Sequence, residues 1–176
     1  MVKKVLLNGT HGYESFISNE DKKLLLNWLE DNMHEFRSKR TGRYYRPIKE
    51  IKNSPLELVQ KLKDKIIKLE NITDWREEPL FSDYIGINTE GGNIHLHTDP
   101  NVNNYIHTRY NIILSWPVKG GESIYGKYVN VLKENLVWKC VAGKVKHASK
   151  PVVGKKPRIT LSLGFLIKDT ERSVLE

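Results

Sequence analysis

The sequence predicts a mainly β fold of the sandwich or jelly-roll type, preceded by two helices. Three observations carry this expectation. Apolar residues recur at helical spacing only in the N-terminal part of the chain. From about Phe81 onward the period drops to two, in seven or eight short runs separated by turn residues. A chain of 176 residues with 39% hydrophobic side chains is long enough to bury a core without covalent staples. Residues 1–176 are therefore expected to form a single domain, with 1–80 as helical support and 81–167 as the β core.

The elements follow in order. Ser18-Asn-Glu-Asp21 resembles a helix start, and Leu24, Leu25, Trp28, Leu29 and Met33 continue at helical spacing. Arg37 to Arg46 reads as a basic, glycine-containing connector. Ser54-Pro55 opens a second helix, with Ser54 as N-cap, Pro55 in the first turn, and Leu58, Leu62, Ile66 and Leu69 on one stripe. The Lys-rich outer faces of both helices read as solvated. Strands are expected at 81–87, 93–97, 108–116, 136–141, 144–147 and 158–167, with a hairpin over 123–132 broken near Gly126. Gly91-Gly92, Pro117 to Gly121, Ala142-Gly143 and Val153 to Pro157 punctuate them.

Composition narrows the function. The one cysteine, Cys140, excludes an internal disulfide and a cysteine-based zinc or iron–sulfur site, and makes a reducing cytoplasm the default location. No apolar run approaches the roughly 20 residues that span a bilayer, and the apolar run near Met1 is too short for a signal peptide. The net charge of +8 is spread over both halves and favours an anionic partner: nucleic acid, acidic protein or a small dicarboxylate. The sequence carries no repeat and does not reveal an oligomeric state.

Chemistry concentrates in the β half. In His97-Thr-Asp99 the two donor side chains share one face of a strand, and Asp99-Pro100 ends the ladder there. A third ligand is needed, and His147 is the candidate. Two imidazoles and a carboxylate on one side of an octahedron suit Fe(II), with positions left open for cosubstrate and oxygen. Arg158 opens the last long strand, with Thr160 and Ser162 on its face. A guanidinium beside a hydroxyl inside a small barrel suits a carboxylate ligand. His95 shares the face of His97 and reads as pocket wall, and His107 reads as a loop residue. Arg109 and Asn111 share a face of the central strand, where inward polar groups meet a ligand or each other. The plainer readings are a hydrogen-bonded His97–Asp99 pair, a solvated His147, a surface Arg158, and Trp116 and Trp138 as core.

Gly92-Asn-Ile-His-Leu-His-Thr-Asp99, the later Gly143-Lys-Val-Lys-His147, and Pro157-Arg-Ile-Thr-Leu-Ser-Leu163 resemble the metal-binding and cosubstrate strands of the Fe(II)- and 2-oxoglutarate-dependent oxygenases, the prolyl and asparaginyl hydroxylases among them. The resemblance covers residues 81–167. It implies a distorted double-stranded β-helix, a cupin-like jelly roll. It also implies His97, Asp99 and His147 around iron, and Arg158 with Thr160 on the far carboxylate of 2-oxoglutarate. Tyr84, Asn111 and Arg109 would be further cosubstrate contacts; Arg109 is similar to a second arginine of the aspartyl/asparaginyl hydroxylase branch. The implied reaction spends O2 and 2-oxoglutarate to hydroxylate a C–H bond, releasing succinate and CO2. A protein or peptide residue is the first choice of substrate, then an amino acid or other small molecule. The alternatives are a nucleic-acid base dealkylase of the same family, for which the basic-aromatic stretch 37–46 is the best hint, and a non-catalytic cupin-like binding module, which would have no need of Arg158.

Overall fold

The computed structural model describes residues 1–169. The strands are β1 (Lys3–Leu7), β2 (Thr10–Glu14), β3 (Arg37–Arg40), β4 (Arg43–Pro47), β5 (Trp75–Glu77), β6 (Tyr84–Asn88), β7 (Ile94–His97) and β8 (Tyr105–Ser115). They continue with β9 (Lys119–Gly120), β10 (Ser123–Tyr125), β11 (Tyr128–Asn130), β12 (Val137–Cys140), β13 (His147–Ser149), β14 (Val152–Val153) and β15 (Arg158–Lys168). Helix α1 (Asn19–Asp31) lies between β2 and β3, and α2 (Leu56–Glu70) between β4 and β5. Among the described residues a nine-stranded antiparallel sheet runs β1-β2-β12-β8-β15-β6-β4-β3, with β5 also on β15. A second sheet runs β11-β10-β13-β7, and β14 pairs β9.

Alternation along the two long central strands divides the large sheet into two faces. Tyr110, Ile112 and Leu114 of β8 and Leu161, Leu163 and Phe165 of β15 join one core with Phe16, Leu25, Leu29, Leu62 and Ile66. That is the face the helices cover. Arg109, Asn111, Arg158, Thr160 and Ser162, out of phase by one residue, line a cavity together with residues of the smaller sheet. One strand pair thus carries core on one face and polar site groups on the other.

The helices form where the sequence places them, with local differences. Ser18 caps α1, its hydroxyl accepting from the Asp21 amide at 3.0 Å. Leu25 and Leu29 are buried, while Leu24 and Met33 stay at least 40% exposed, so the apolar stripe is narrower than the spacing implies. Helix α2 starts one residue late: Pro55 takes the cap position, no side chain caps the end, and Ser54 is not the N-cap. Its C-terminus is closed by Asn71 in the left-handed conformation. Lys63 departs from the expected solvated face. It is buried among Trp75 and Phe165, and its ammonium reaches Glu77 at 2.7 Å and Asp83 at 3.1 Å.

The larger correction concerns the first half of the chain. It is not helical support alone, because β1 to β4 all join the large sheet. The expected connector 37–46 is the β3–β4 hairpin, and β4 pairs β6 from Arg43↔Asn88 to Pro47↔Tyr84. Two further boundaries move. The strand expected from Phe81 starts at Tyr84, after Ser82 in a left-handed turn, and the strand expected at 144–147 is a turn, so that His147 opens β13 instead of ending a strand.

Candidate metal centre and its cavity

His97 is the last residue of β7, and β7 pairs β13 with His97 directly opposite His147. Their ring centroids are 4.3 Å apart. Beyond β7 the chain leaves the sheet, and the Asp99 amide donates to the Ala142 carbonyl at 2.9 Å, returning the carboxylate to the two imidazoles. One donor atom from each of His97, Asp99 and His147 lies within 4.8 Å of the others.

The loop after Asp99 is clasped from the other side. The Asn101 amide donates to the Gly143 carbonyl at 2.9 Å, and its oxygen accepts from the His107 amide at 3.0 Å. A Cβ on Gly143 would stand 1.7 Å from that Asn101 oxygen, so only glycine admits the clasp.

Both imidazoles are oriented by main chain. His97 Nδ1 lies 2.7 Å from the His95 carbonyl and His147 Nδ1 lies 3.1 Å from the Val145 carbonyl. A carbonyl only accepts, so Nδ1 carries the proton in both rings and Nε2 is the free ligand atom. His97 Nε2 is 3.3 Å from Asp99 Oδ1. Burial lowers the pKa of His147, which keeps that ring neutral. Burial pushes Asp99 upward, but the polar and cationic groups around it, Arg109 among them, outweigh it and hold the carboxyl below its ordinary value. Neutral imidazole and ionised carboxylate are the ligand forms a metal requires. Two nitrogens and one oxygen suit a six-coordinate ion with open positions better than a closed zinc site, which takes four protein ligands.

The second oxygen of Asp99 faces Arg109 Nε at 3.6 Å and His107 Nε2 at 3.7 Å. Arg109 is itself held by Glu78 at 2.7 Å and by the Ser82 carbonyl at 3.0 Å, and it lies over the Tyr84 ring at 4.8 Å. Arg109 is therefore engaged by a buried carboxylate rather than free to receive a ligand. His107 is not a loop residue: it is fully buried in β8 between Asp99 and Glu78.

Arg158 sits on the same cavity wall, 4% exposed. One guanidinium nitrogen donates to the Ser123 hydroxyl at 3.1 Å, and the group lies over the Trp116 ring at 5.6 Å. Its Nε and the neighbouring Thr160 hydroxyl are buried without a hydrogen-bond partner. Burial, then the charge of Arg43, lowers the Arg158 pKa to about 10, so it stays charged at neutral pH. Among the described residues no carboxylate lies within ion-pair distance of it. Tyr84 and Asn111 line the cavity beside these groups, as does the exposed His95.

The cavity holds about 320 Å3 and also takes residues that the sequence suggested only as a basic connector or a nucleic-acid contact: Arg40, Arg43 and Tyr45 of the β3–β4 hairpin. Four arginines line it against one carboxylate, Asp99. The signal for the hairpin was the β propensity of Tyr44-Tyr45 after the turn residue Gly42, in a stretch without aliphatic residues. Nothing local in the sequence marks Glu78 as the partner of Arg109.

Neither a family model nor a curated protein matches the sequence. Solved structures do match the fold. The viral collagen prolyl hydroxylase of Paramecium bursaria Chlorella virus-1, in complex with 2-oxoglutarate, is 13% identical, with a TM-score of 0.64 over 94% of this chain and 95% of that one. A Pseudomonas putida prolyl-4-hydroxylase is 13% identical, with a TM-score of 0.61 over 88% and 90%. HygX from Streptomyces hygroscopicus, with nickel and 2-oxoglutarate bound, is 9% identical, with a TM-score of 0.68 over 88% and 81%. At these identities the likeness establishes a shared, mainly β fold.

Proposed function

We propose that the protein is an Fe(II)- and 2-oxoglutarate-dependent dioxygenase that hydroxylates a C–H bond of a peptide residue or an amino acid. One observation carries the reading. A two-histidine, one-carboxylate group shares a cavity with a buried arginine and threonine whose hydrogen-bonding capacity is unfilled. A buried guanidinium without a carboxylate is costly, and a dicarboxylate anchored at the metal supplies what it lacks. The shared fold with the prolyl hydroxylases supports the same reading. In it the two sheets facing the cavity are the walls of a distorted double-stranded β-helix, and residues 1–176 are one domain.

His97, Asp99 and His147 would hold the metal. Arg158 and Thr160 would take the distal carboxylate of 2-oxoglutarate, with Tyr84 and Asn111 along its flank. Arg109 is better placed as a positioning residue: with His107 it faces Asp99 Oδ2 and leaves Oδ1 toward the imidazoles. Bound there, iron and 2-oxoglutarate would supply the oxidising power, consuming O2 and releasing succinate and CO2. The protein binds, orients and excludes water, and no side chain needs to act as nucleophile or general base.

The test is anaerobic addition of Fe(II) and 2-oxoglutarate. A weak visible absorption that requires both, and that disappears in Asp99→Ala and His147→Ala, is the expected result. Metal binding indifferent to 2-oxoglutarate would instead identify a binding module. Succinate release across peptides, amino acids and methylated oligonucleotides then sorts the substrate classes, the oligonucleotides standing for a base dealkylase.

A further inference from the structure

Once Asp99 and Arg158 have been given partners, positive charge is left over in the cavity. Arg109 is neutralised by Glu78. A ferrous ion and 2-oxoglutarate cancel, and Asp99 balances one of the three remaining arginines, so two guanidiniums stay uncompensated. They correspond to the hairpin residues Arg40 and Arg43, which face each other across β3 and β4. Arg40 donates to the Asn93 carbonyl at 2.9 Å, while its Nε is buried without a partner. Arg43 donates to Asn88 Oδ1 at 3.1 Å and lies across Gly86, where a Cβ would stand 2.6 Å from its Nη1. Among the described residues neither has a carboxylate within ion-pair distance. Two like charges brought together at a cavity wall without an acid repel each other, and an oxyanion relieves that.

We propose that Arg40 and Arg43 form a recognition site for an oxyanion carried by the substrate, so that the substrate is an acidic, amino-acid-sized group bearing a carboxylate or phosphate. The inference rests on the dioxygenase reading and names its substrate class. The cavity volume, at the low end of ligand pockets, admits the cosubstrate and one residue-sized group, which favours a small acid over a nucleic-acid strand. Arg43 and Arg158 flank Asn88 from opposite sides of β6, so they share one row of the wall, but Arg158 is tied to Ser123 and the hairpin pair to Asn88 and the Asn93 carbonyl.

The test is calorimetric titration of the Mn(II)-loaded protein saturated with 2-oxoglutarate. The probes are matched pairs: N-acetylaspartate with N-acetylasparagine for the carboxylate, and phosphoserine with serine for the phosphate. In at least one pair the acidic member should bind at least tenfold tighter, about the effect of one charge-assisted contact. Arg40→Gln and Arg43→Gln should each shrink that gap, the double variant should erase it, and Arg43→Lys should keep part of it. Affinity for 2-oxoglutarate should change less than about threefold in these variants, against a loss of at least thirtyfold in Arg158→Gln. Thermal melts check that each variant is folded. Equal or undetectable binding of both members of both pairs overturns the proposal. So does a loss of 2-oxoglutarate affinity in the hairpin variants as large as that in Arg158→Gln, which would give the pair to the cosubstrate. Tighter binding of a methylated oligonucleotide through the same arginines would give it to nucleic acid. The titrations are repeated on metal-free protein without 2-oxoglutarate. If the dioxygenase reading fails, 2-oxoglutarate does not bind, yet the acidic preference and its dependence on Arg40 and Arg43 persist.

Discussion

The two faces of the large sheet treat polar groups in opposite ways. On the helix side, Glu70 at the end of α2 accepts hydrogen bonds from Tyr13 at 2.5 Å, His11 at 2.7 Å, Tyr110 at 2.9 Å and Lys139 at 3.0 Å. Both oxygens of that carboxylate have partners. On the cavity side, one residue along the same strands, Arg158 and Thr160 hold donors that meet nothing. Burial is similar on both faces, so it does not separate them. Satisfaction does: a closed network serves stability, and an open one waits for a ligand.

The comparison predicts that substitutions on the two faces fail in different assays. The largest effect is expected from Asp99→Ala or His147→Ala, which should abolish the Fe(II)- and 2-oxoglutarate-dependent absorption and succinate release while leaving the thermal melt nearly unchanged. Phe165→Ala, on the helix face against Tyr110 and Trp75, should cost about 3–5 kcal/mol of stability in urea unfolding. Arg158→Gln should weaken 2-oxoglutarate binding by about a hundredfold, or ~2.7 kcal/mol. Its melting temperature should hold or rise, because an unneutralised buried charge is removed. Should Arg158→Gln unfold the protein, the open donors belong to the fold and the contrast between the faces is lost.

Acid should weaken the network on the helix face. Burial raises the Glu70 pKa, but the hydrogen bonds from Tyr13, His11 and Lys139 outweigh it and bring the carboxyl to about 2, against an ordinary 4.5. A depressed folded pKa means the unfolded state binds the proton more tightly, so this stabilisation is present above about pH 4.5 and is lost as pH falls toward 2. Glu70→Gln should flatten the stability–pH curve in that window, read by urea unfolding at several pH values. The smallest effects separate the helix starts. Ser18→Ala should cost about 1 kcal/mol and Ser54→Ala less than about 0.5, since only Ser18 makes a capping bond.

Legibility in the sequence followed the type of interaction. Local signals could be read: the Ser18 cap, the stripes of both helices, and the alternation of β8 and β15. The residues with distinctive chemistry, His97, Asp99, His147, Arg158 and Thr160, were also legible as a set, and the fold brings them to one cavity. What a distant partner decides was not legible. β8 begins at Tyr105, before the expected Thr108, because β15 continues to Lys168 and pairs it there. That extension moves His107 from an expected loop into the sheet. The hairpin of Arg40 and Arg43 lacks the aliphatic residues that mark a strand: Arg40, Arg43 and Tyr45 face the cavity, and Tyr44 meets the core with an aromatic ring. Arg109 looked like a ligand contact until Glu78, from a separate loop, arrived beside it.

The would-be metal ligands His97 and His147 belong to the small sheet and Arg158 to the large one, and hydrogen bonds from Arg158 to Ser123 at 3.1 Å and from Asn88 to Ser149 at 3.2 Å help stitch that seam. The span between metal and guanidinium is thus a caliper whose jaws are separate sheets. If the site works as proposed, its choice among diacids of different chain length is gauged by how those sheets are riveted together, and loosening Ser123 or Ser149 would blur the gauge without touching either jaw.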